Sequence, residues 1–260
     1  MQVIYEDNHI IIVNKESGEI VQGDKTGDRP LSEIVKDYIK EKYQKPRAVF
    51  LGVVHRLDRP VSGLVVFART SKALTRLNKM FAEKEQVRKT YWAIVERKKE
   101  KRKTRNRDEE MEECQEQDHF SFLTPHSSIL TPESSFITVT HWLIRNEDQN
   151  KSYAYKTEKP NSKKAILKYR VLAQGDNYTL VEVQLLTGRH HQIRCQLAAI
   201  GHPIKGDLKY GAKRSNPDGS ISLQSHRVEF VHPVSKETIC IEIPVPNDPL
   251  WKALSSNHNS

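Results

Sequence analysis

"HRLDRPVSGLVVFA", residues His55 to Ala68, sets one carboxylate, Asp58, between Arg56 and Arg59, then passes through Pro60, Ser62 and Gly63 into an unbroken apolar run. The preceding stretch, Ala48 to Val54, is apolar too. The segment therefore reads as strand, polar loop, strand, with both strands too apolar to face water on two sides. A loop anchored by buried strands presents its side chains rigidly, and catalytic groups concentrate in such loops. The flanking arginines favour the charged form of Asp58, which suits a carboxylate nucleophile and not a general acid that needs its proton. A structural ion pair pinning the turn accounts for the same residues.

Outward from this loop, "QVIYEDNHIIIVNK" reads as two short strands around the turn Glu6-Asp7-Asn8. A helix follows over "RPLSEIVKDYIKEKYQ", with Pro30 at its first position, an inner stripe of Leu31, Ile34, Val35, Tyr38 and Ile39, and a stop before Pro46. After the loop, "SKALTRLNKMFAEKE" is a helix capped by Ser71 with Leu74, Leu77 and Phe81 inward. "VRKTYWAIVE" is a strand, "VTHWLIR" resumes order, and "KAILKYRVLA" and "YTLVEVQLLT" are strands joined at Gly175-Asp176-Asn177. "HHQIRCQLAAIGHP" is a short helix ended by Gly201 and Pro203, and strands at "SLQSHRVEFVHP" and "TICIEIPVP" close the fold. Between Arg97 and Ser135 the composition changes: Arg97 to Arg107 hold eight basic side chains and Asp108 to Asp118 seven acidic ones. Such a stretch cannot bury a core and reads as a solvated insertion at about 97–135 in an otherwise single α+β domain spanning 1–260.

Lys and Arg total 42 against 33 Asp and Glu, a formal charge of +9 over 260 residues, which fits a nucleic-acid partner without proving one. Three cysteines in no ligand spacing suggest neither a disulfide framework nor zinc. With no signal-peptide pattern and no apolar run of about 18 residues, the expectation is a soluble cytoplasmic protein without a membrane association.

Arg194 is the second candidate. In "QIR" its neighbours Ile193 and Leu197 face inward, so its guanidinium lies at the edge of the interior and needs an anion. Asp58, held bidentately, is one partner; another acid serves equally well. His190 and His191 have no acidic or cysteine neighbour at metal-ligand spacing, so hydrogen-bonding roles are expected of them. Tyr91 is by periodicity a core aromatic, and Lys15, Lys89, Arg189 and Lys205 read as surface cations. Glycine-rich phosphate loops, nucleophile elbows, HExxH helices and paired glycosidase carboxylates are all missing. Any chemistry here runs on a single acid.

"HRLDRPVSGLVVFA" resembles the nucleophile motif of the RluA-type pseudouridine synthases. "VIYEDNHIIIVNKESGEIV" is similar to that family's opening strands, "RKTYWAIVE" to its tyrosine motif, "LLTGRHHQIRCQLAAIGHPIKGDLKYGA" to its arginine motif, and "SHRVEFVHPVSKE" to its ending. The resemblance implies a mixed, largely antiparallel sheet with flanking helices and an RNA-binding cleft. It implies cofactor-free and metal-free isomerisation of uridines in transfer or ribosomal RNA, by a protein expected to be a monomer. Asp58 then corresponds to the catalytic aspartate, as nucleophile on the sugar or base in a glycal route, Arg194 to its arginine partner and Tyr91 to the active-site tyrosine. Arg56 corresponds to the residue contacting RNA beside the extruded uridine, with Arg59, Lys89, Arg189 and Lys205 as further RNA contacts. Five positions depart from the family pattern: Pro60-Val61 where an acid and threonine are usual, His190 for threonine, Gln224 for histidine and Glu96 for glycine. No separate N-terminal RNA-binding domain is expected. A catalytically inactive RNA-binding relative is the rival that the altered loop permits.

Overall fold

A computed structural model describes residues 1–24, 26–83, 86–97 and 135–256. Apart from its end residues, the charged insertion expected at 97–135 lies outside them. The elements in chain order are β1 (Gln2–Glu6), β2 (Ile10–Lys15), α1 (Leu31–Lys42), β3 (Gly52–Val53), β4 (Ser62–Ala68), α2 (Ser71–Glu83), β5 (Val87–Glu96) and β6 (Ile137–Asn146). They continue with β7 (Lys151–Tyr155), β8 (Lys163–Gln174), β9 (Tyr178–Leu185), α3 (Gln192–Ala199), β10 (Leu223–Val231), β11 (Thr238–Glu242) and α4 (Pro249–Ser256).

The strands form one sheet in the order β1-β2-β4-β10-β5-β9-β8-β6-β7, with β3 added to β4 and β11 to β10. Every pairing is antiparallel except β4 with β10, where Ser62 and Gly63 meet Gln224 and Ser225 in parallel. This two-residue contact joins the halves of the sheet. Gly63 makes it possible: its φ is 116°, and a Cβ there would lie 2.4 Å from the Ser225 carbonyl oxygen. In β10 the register with β5 shifts between Ser225 and Arg227, a bulge beside the junction.

Alternation sorts the apolar residues. Ile11, Val13, Val65, Phe67, Tyr91, Ala93 and Val183 pack with Leu31, Val35 and Ile39 of α1 and Ile193 and Leu197 of α3. Ile10, Ile12, Leu64 and Val66 pack with Ala73, Leu77 and Phe81 of α2, while Ile94 and Leu180 meet Trp251 and Leu254 of α4.

Several local expectations shift. The strand before the loop shrinks to Gly52–Val53, because one edge of β4 is divided between β3 at Phe67 and Ala68 and β10 at Ser62 and Gly63. The cap of α2 is Thr70, whose Oγ1 accepts from Ala73 N at 3.2 Å, and its inner stripe runs through Ala73 with Leu74 only half-buried. Pro30 precedes α1 in an extended conformation, one position before its first turn. β7 and α4 were not anticipated.

Candidate active site

The loop between β3 and β4 is held from beneath by a lysine. Lys15, at the end of β2 beside Gly63, has 0% exposure, and its Nζ donates to the carbonyls of Glu16 at 2.8 Å, Arg59 at 3.1 Å and Val61 at 2.7 Å. The surface position expected for it is wrong, since the loop's inward carbonyls supply polar partners that let an ammonium enter the core. Burial pushes Lys15 down to about 8, with Arg59 adding to the effect and Glu19 and Asp58 opposing it. Two neighbouring loop carbonyls are met as well: Asp58 O accepts from Val61 N at 3.0 Å, and Pro60 O from Ile221 N at 3.1 Å and Ser17 Oγ at 3.2 Å. Buried Leu57 and Val61 anchor its apolar side. With four consecutive carbonyls bonded, the backbone under Asp58 has little freedom to move.

Upstream, His55 Nε2 accepts from Val66 N at 3.1 Å, and its ring stacks on Phe81 at 5.3 Å. Burial, then the charge of Lys89, pushes its pKa down to about 3, so the ring is the neutral acceptor that this bond requires.

Arg194 projects from the first turn of α3 and joins two acids. Its Nη1 donates to Asp58 Oδ2 at 3.1 Å, while Nε donates to Asp207 Oδ2 at 2.7 Å and Nη2 to Asp207 Oδ1 at 2.9 Å. Both partners left open by the sequence are thus real. The bidentate fork, however, belongs to Asp207 and not to Asp58. Asp207 was not singled out beforehand, and it has 2% exposure. Burial alone would lower the Arg194 pKa; the hydrogen bonds and charge of Asp207, then those of Asp58, raise it well above its ordinary value. The permanent cation is clamped by the buried acid and presents one N–H to Asp58, whose side chain is 30% exposed.

Around this pair stand three rings. Tyr210 lies under Arg194, its centroid 5.2 Å from the guanidinium carbon. His191, in a left-handed conformation at φ 51° before α3, places Nδ1 3.0 Å from Tyr210 Oη and Nε2 3.6 Å from Asp58 Oδ2. Burial, followed by the Arg194 charge, pushes His191 down to about 2, so it stands neutral beside the carboxylate. Tyr91, central in β5 between Ser225 and Val183, is buried; burial and the Asp58 charge raise its phenol pKa against an opposing hydrogen bond with Ser225. It is therefore a protonated phenol at neutral pH, able to donate.

The expected RNA contacts are dispersed. Arg56 is exposed next to Asp58. Arg59 is exposed, but its guanidinium pairs with Asp28 and donates to Thr26 Oγ1 at 3.3 Å, so the cation that meets Asp58 is Arg194. Lys89 is half-buried over the Phe81 ring, Arg189 is exposed with Nε donating to Lys164 O, and Lys205 donates to Asn216 Oδ1. Among the described residues no three His, Cys, Asp or Glu side chains converge as a metal site, and no described helix is long and apolar enough to cross a membrane.

A family model described as RNA pseudouridylate synthase matches residues 9–199. The Ribosomal large subunit pseudouridine synthase C of Vibrio cholerae is 29% identical over 249 residues, covering 94% of this chain and 65% of the relative. The Uncharacterized RNA pseudouridine synthase YhcT of Bacillus subtilis is 29% identical, covering 95% and 70%. The chain thus spans about two thirds of the length of these curated relatives. The solved structure of Human RNA Pseudouridylate Synthase Domain Containing 4 shares the fold at a TM-score of 0.68 and 18% identity, covering 99% of this chain and 93% of that one. The family match contains Asp58, Tyr91 and Arg194, and the chain belongs to the RNA pseudouridylate synthase family, of the RluA type that its motifs resemble.

Proposed function

We propose that this chain isomerises selected uridines in RNA to pseudouridine, with Asp58 as the catalytic carboxylate. The reaction breaks the bond from ribose C1′ to N1 of uracil and forms one from C1′ to C5; the hydrogen leaves C5 and a proton settles on N1. Atoms balance and no net oxidation occurs. The observation that carries the reading is a partly exposed carboxylate on a loop with four consecutive carbonyls bonded, given one N–H by a cation that is itself clamped by a second acid. A carboxylate so oriented meets the sugar or its C2′ proton with little reorganisation, which is what both the nucleophile and the glycal routes need. Tyr91, kept protonated, packs beside the base and donates rather than accepts.

A stacked uridine hides its glycosidic bond, and extruding it costs about a few kcal/mol. Arg56, Arg59, Lys89, Arg189 and Lys205, within a chain of net charge +9, are the phosphate contacts that offset this cost. The relatives named for the ribosomal large subunit favour ribosomal over transfer RNA as the substrate. We take the chain to act as a cytoplasmic monomer. The test is to map pseudouridine by stable carbodiimide adducts in RNA from cells lacking the gene, before and after adding the purified protein. Sites that vanish with the gene and return with the protein support the reading, while an unchanged map overturns it and leaves the inactive RNA-binding relative.

A further inference from the structure

His190 stands where the resembled family usually has threonine, and its surroundings give the substitution a use. Its ring stacks on that of His191 with centroids 3.8 Å apart and 21° between planes, and His191 in turn lies 3.6 Å from Asp58. His190 is the more exposed ring of this stacked pair beside the carboxylate. Its edges are fixed. Nε2 is 3.1 Å from Asn150 Oδ1, and Nδ1 is 3.0 Å from Ser152 Oγ. Ser152 is itself held by its N–H donating to Tyr210 Oη at 2.8 Å and by its carbonyl accepting from Cys195 Sγ at 3.2 Å.

Burial, then the charges of Arg145 and Arg194, lowers the His190 pKa, consistent with a neutral ring, and Ser152 Oγ donates to the His190 carbonyl at 2.8 Å. Yet His190 is only half-buried, whereas His191 is buried. With both nitrogens bonded and one face covered by His191, the opposite face of the half-buried ring is the side left for a base to stack on. Two cations stand by this ring: Arg145, half-exposed, and Lys209, whose Nζ donates to Asn150 O at 3.1 Å. An open aromatic face with cations at its border is the chemistry of a nucleobase platform, because bases stack on such rings, histidine included, while their phosphates meet the charge.

We propose that the outer face of His190 stacks the nucleobase next to the target uridine, making it a positioning residue for the RNA and no part of the bond-making chemistry. This rests on the pseudouridine synthase reading. His190 stacks on the ring that lies 3.6 Å from Asp58, so a base extruded toward Asp58 brings its neighbour to His190. The competing role is structural, with His190 merely tying the β6–β7 hairpin to the start of α3.

Two variants separate the roles: His190→Gln keeps polar ends without a ring, and His190→Phe keeps a ring without polar ends. The probe is a synthetic RNA hairpin carrying the uridine mapped above, tritiated at C5, with tritium release giving kcat and KM. The expected result is a KM raised about 5- to 100-fold in His190→Gln, with kcat unchanged, and a KM within about threefold of wild type in His190→Phe. Removing the base at one flanking position should then raise the wild-type KM and leave that of His190→Gln unmoved. If His190→Phe is as impaired as His190→Gln, or if every abasic position weakens both proteins equally, the platform is wrong. Wild-type protein that converts no uridine removes the pseudouridine synthase reading and the platform with it; conversion without coupling removes the platform alone.

Discussion

Replacing Arg194 with Met removes the one group that Asp58 and Asp207 share. The side chain is 6% exposed and makes three charge-assisted hydrogen bonds at 2.7, 2.9 and 3.1 Å. Two of these satisfy Asp207, which has 2% exposure and no ready access to water. Leaving one member of a buried pair behind costs ~3–5 kcal/mol. In a domain of this size ~1 kcal/mol corresponds to about 2–4 °C, so Arg194→Met should melt on the order of 10 °C below wild type. Its denaturant midpoint should fall with an unchanged slope. The loss comes from an uncompensated charge more than from lost packing, because Met fills much of the same space. Arg194→Met, Asp207→Asn together should therefore be more stable than Arg194→Met alone, although two interactions are then gone. Activity should fall in both. Unfolding of Arg194→Met at the wild-type midpoint, or further destabilisation by the second substitution, refutes the account of the clamp.

Three other perturbations probe the scaffold. Lys15→Met takes three N–H donors from inward carbonyls and should cost about 3 kcal/mol, read as a shift in the denaturant midpoint, with activity falling as the loop loosens. For Lys15 itself the folded pKa, about 8, lies below an unfolded value near 10.4, so the native state gives up the proton first. Its contribution to stability then rises with pH from about 8 toward 10.4, while turnover declines above about 8 because a neutral amine has two N–H groups for three carbonyls. A rate flat from pH 7 to 10 contradicts that. Gly63→Ala drives a methyl to within 2.4 Å of the Ser225 carbonyl oxygen at a φ of 116° and should destabilise by roughly 3 kcal/mol or more; a melting temperature within a degree of wild type means the halves are not joined there.

The legible part of the molecule followed from local pattern. β5 and β9 announced themselves by apolar runs between turns, and α3 by Ile193 and Leu197 ahead of Gly201. The Asp58–Arg194 pairing was readable as one of two options because a semi-buried arginine must find an anion. Asp207 escaped because nothing periodic surrounds it: it sits in "IKGDLKYG", and only the fold brings it back under a guanidinium 13 positions away. Lys15 escaped for a related reason, since a lysine at the end of a strand reads as surface until the loop carbonyls it serves, 44 and 46 positions on, come into place. The helix α4 carries a readable signal at its start. Asp248 precedes Pro249, and its Oδ1 accepts from Leu250 N at 2.9 Å and Trp251 N at 3.1 Å, the ordinary aspartate cap with proline in the first turn. β7 carried little: "KSYAY" is only five residues long, and its pairing with β6 depends on the turn before it.

The central claim is that one carboxylate performs the isomerisation, and Asp58→Asn tests it most directly because volume is kept and charge removed. With RNA tritiated at C5 of uridine, wild-type protein should release one tritium for each pseudouridine formed. Asp58→Asn should release none while binding the RNA within about tenfold of wild type, because phosphate contacts dominate affinity. Tritium release by a clean Asp58→Asn preparation at even a few per cent of the wild-type rate would contradict the account.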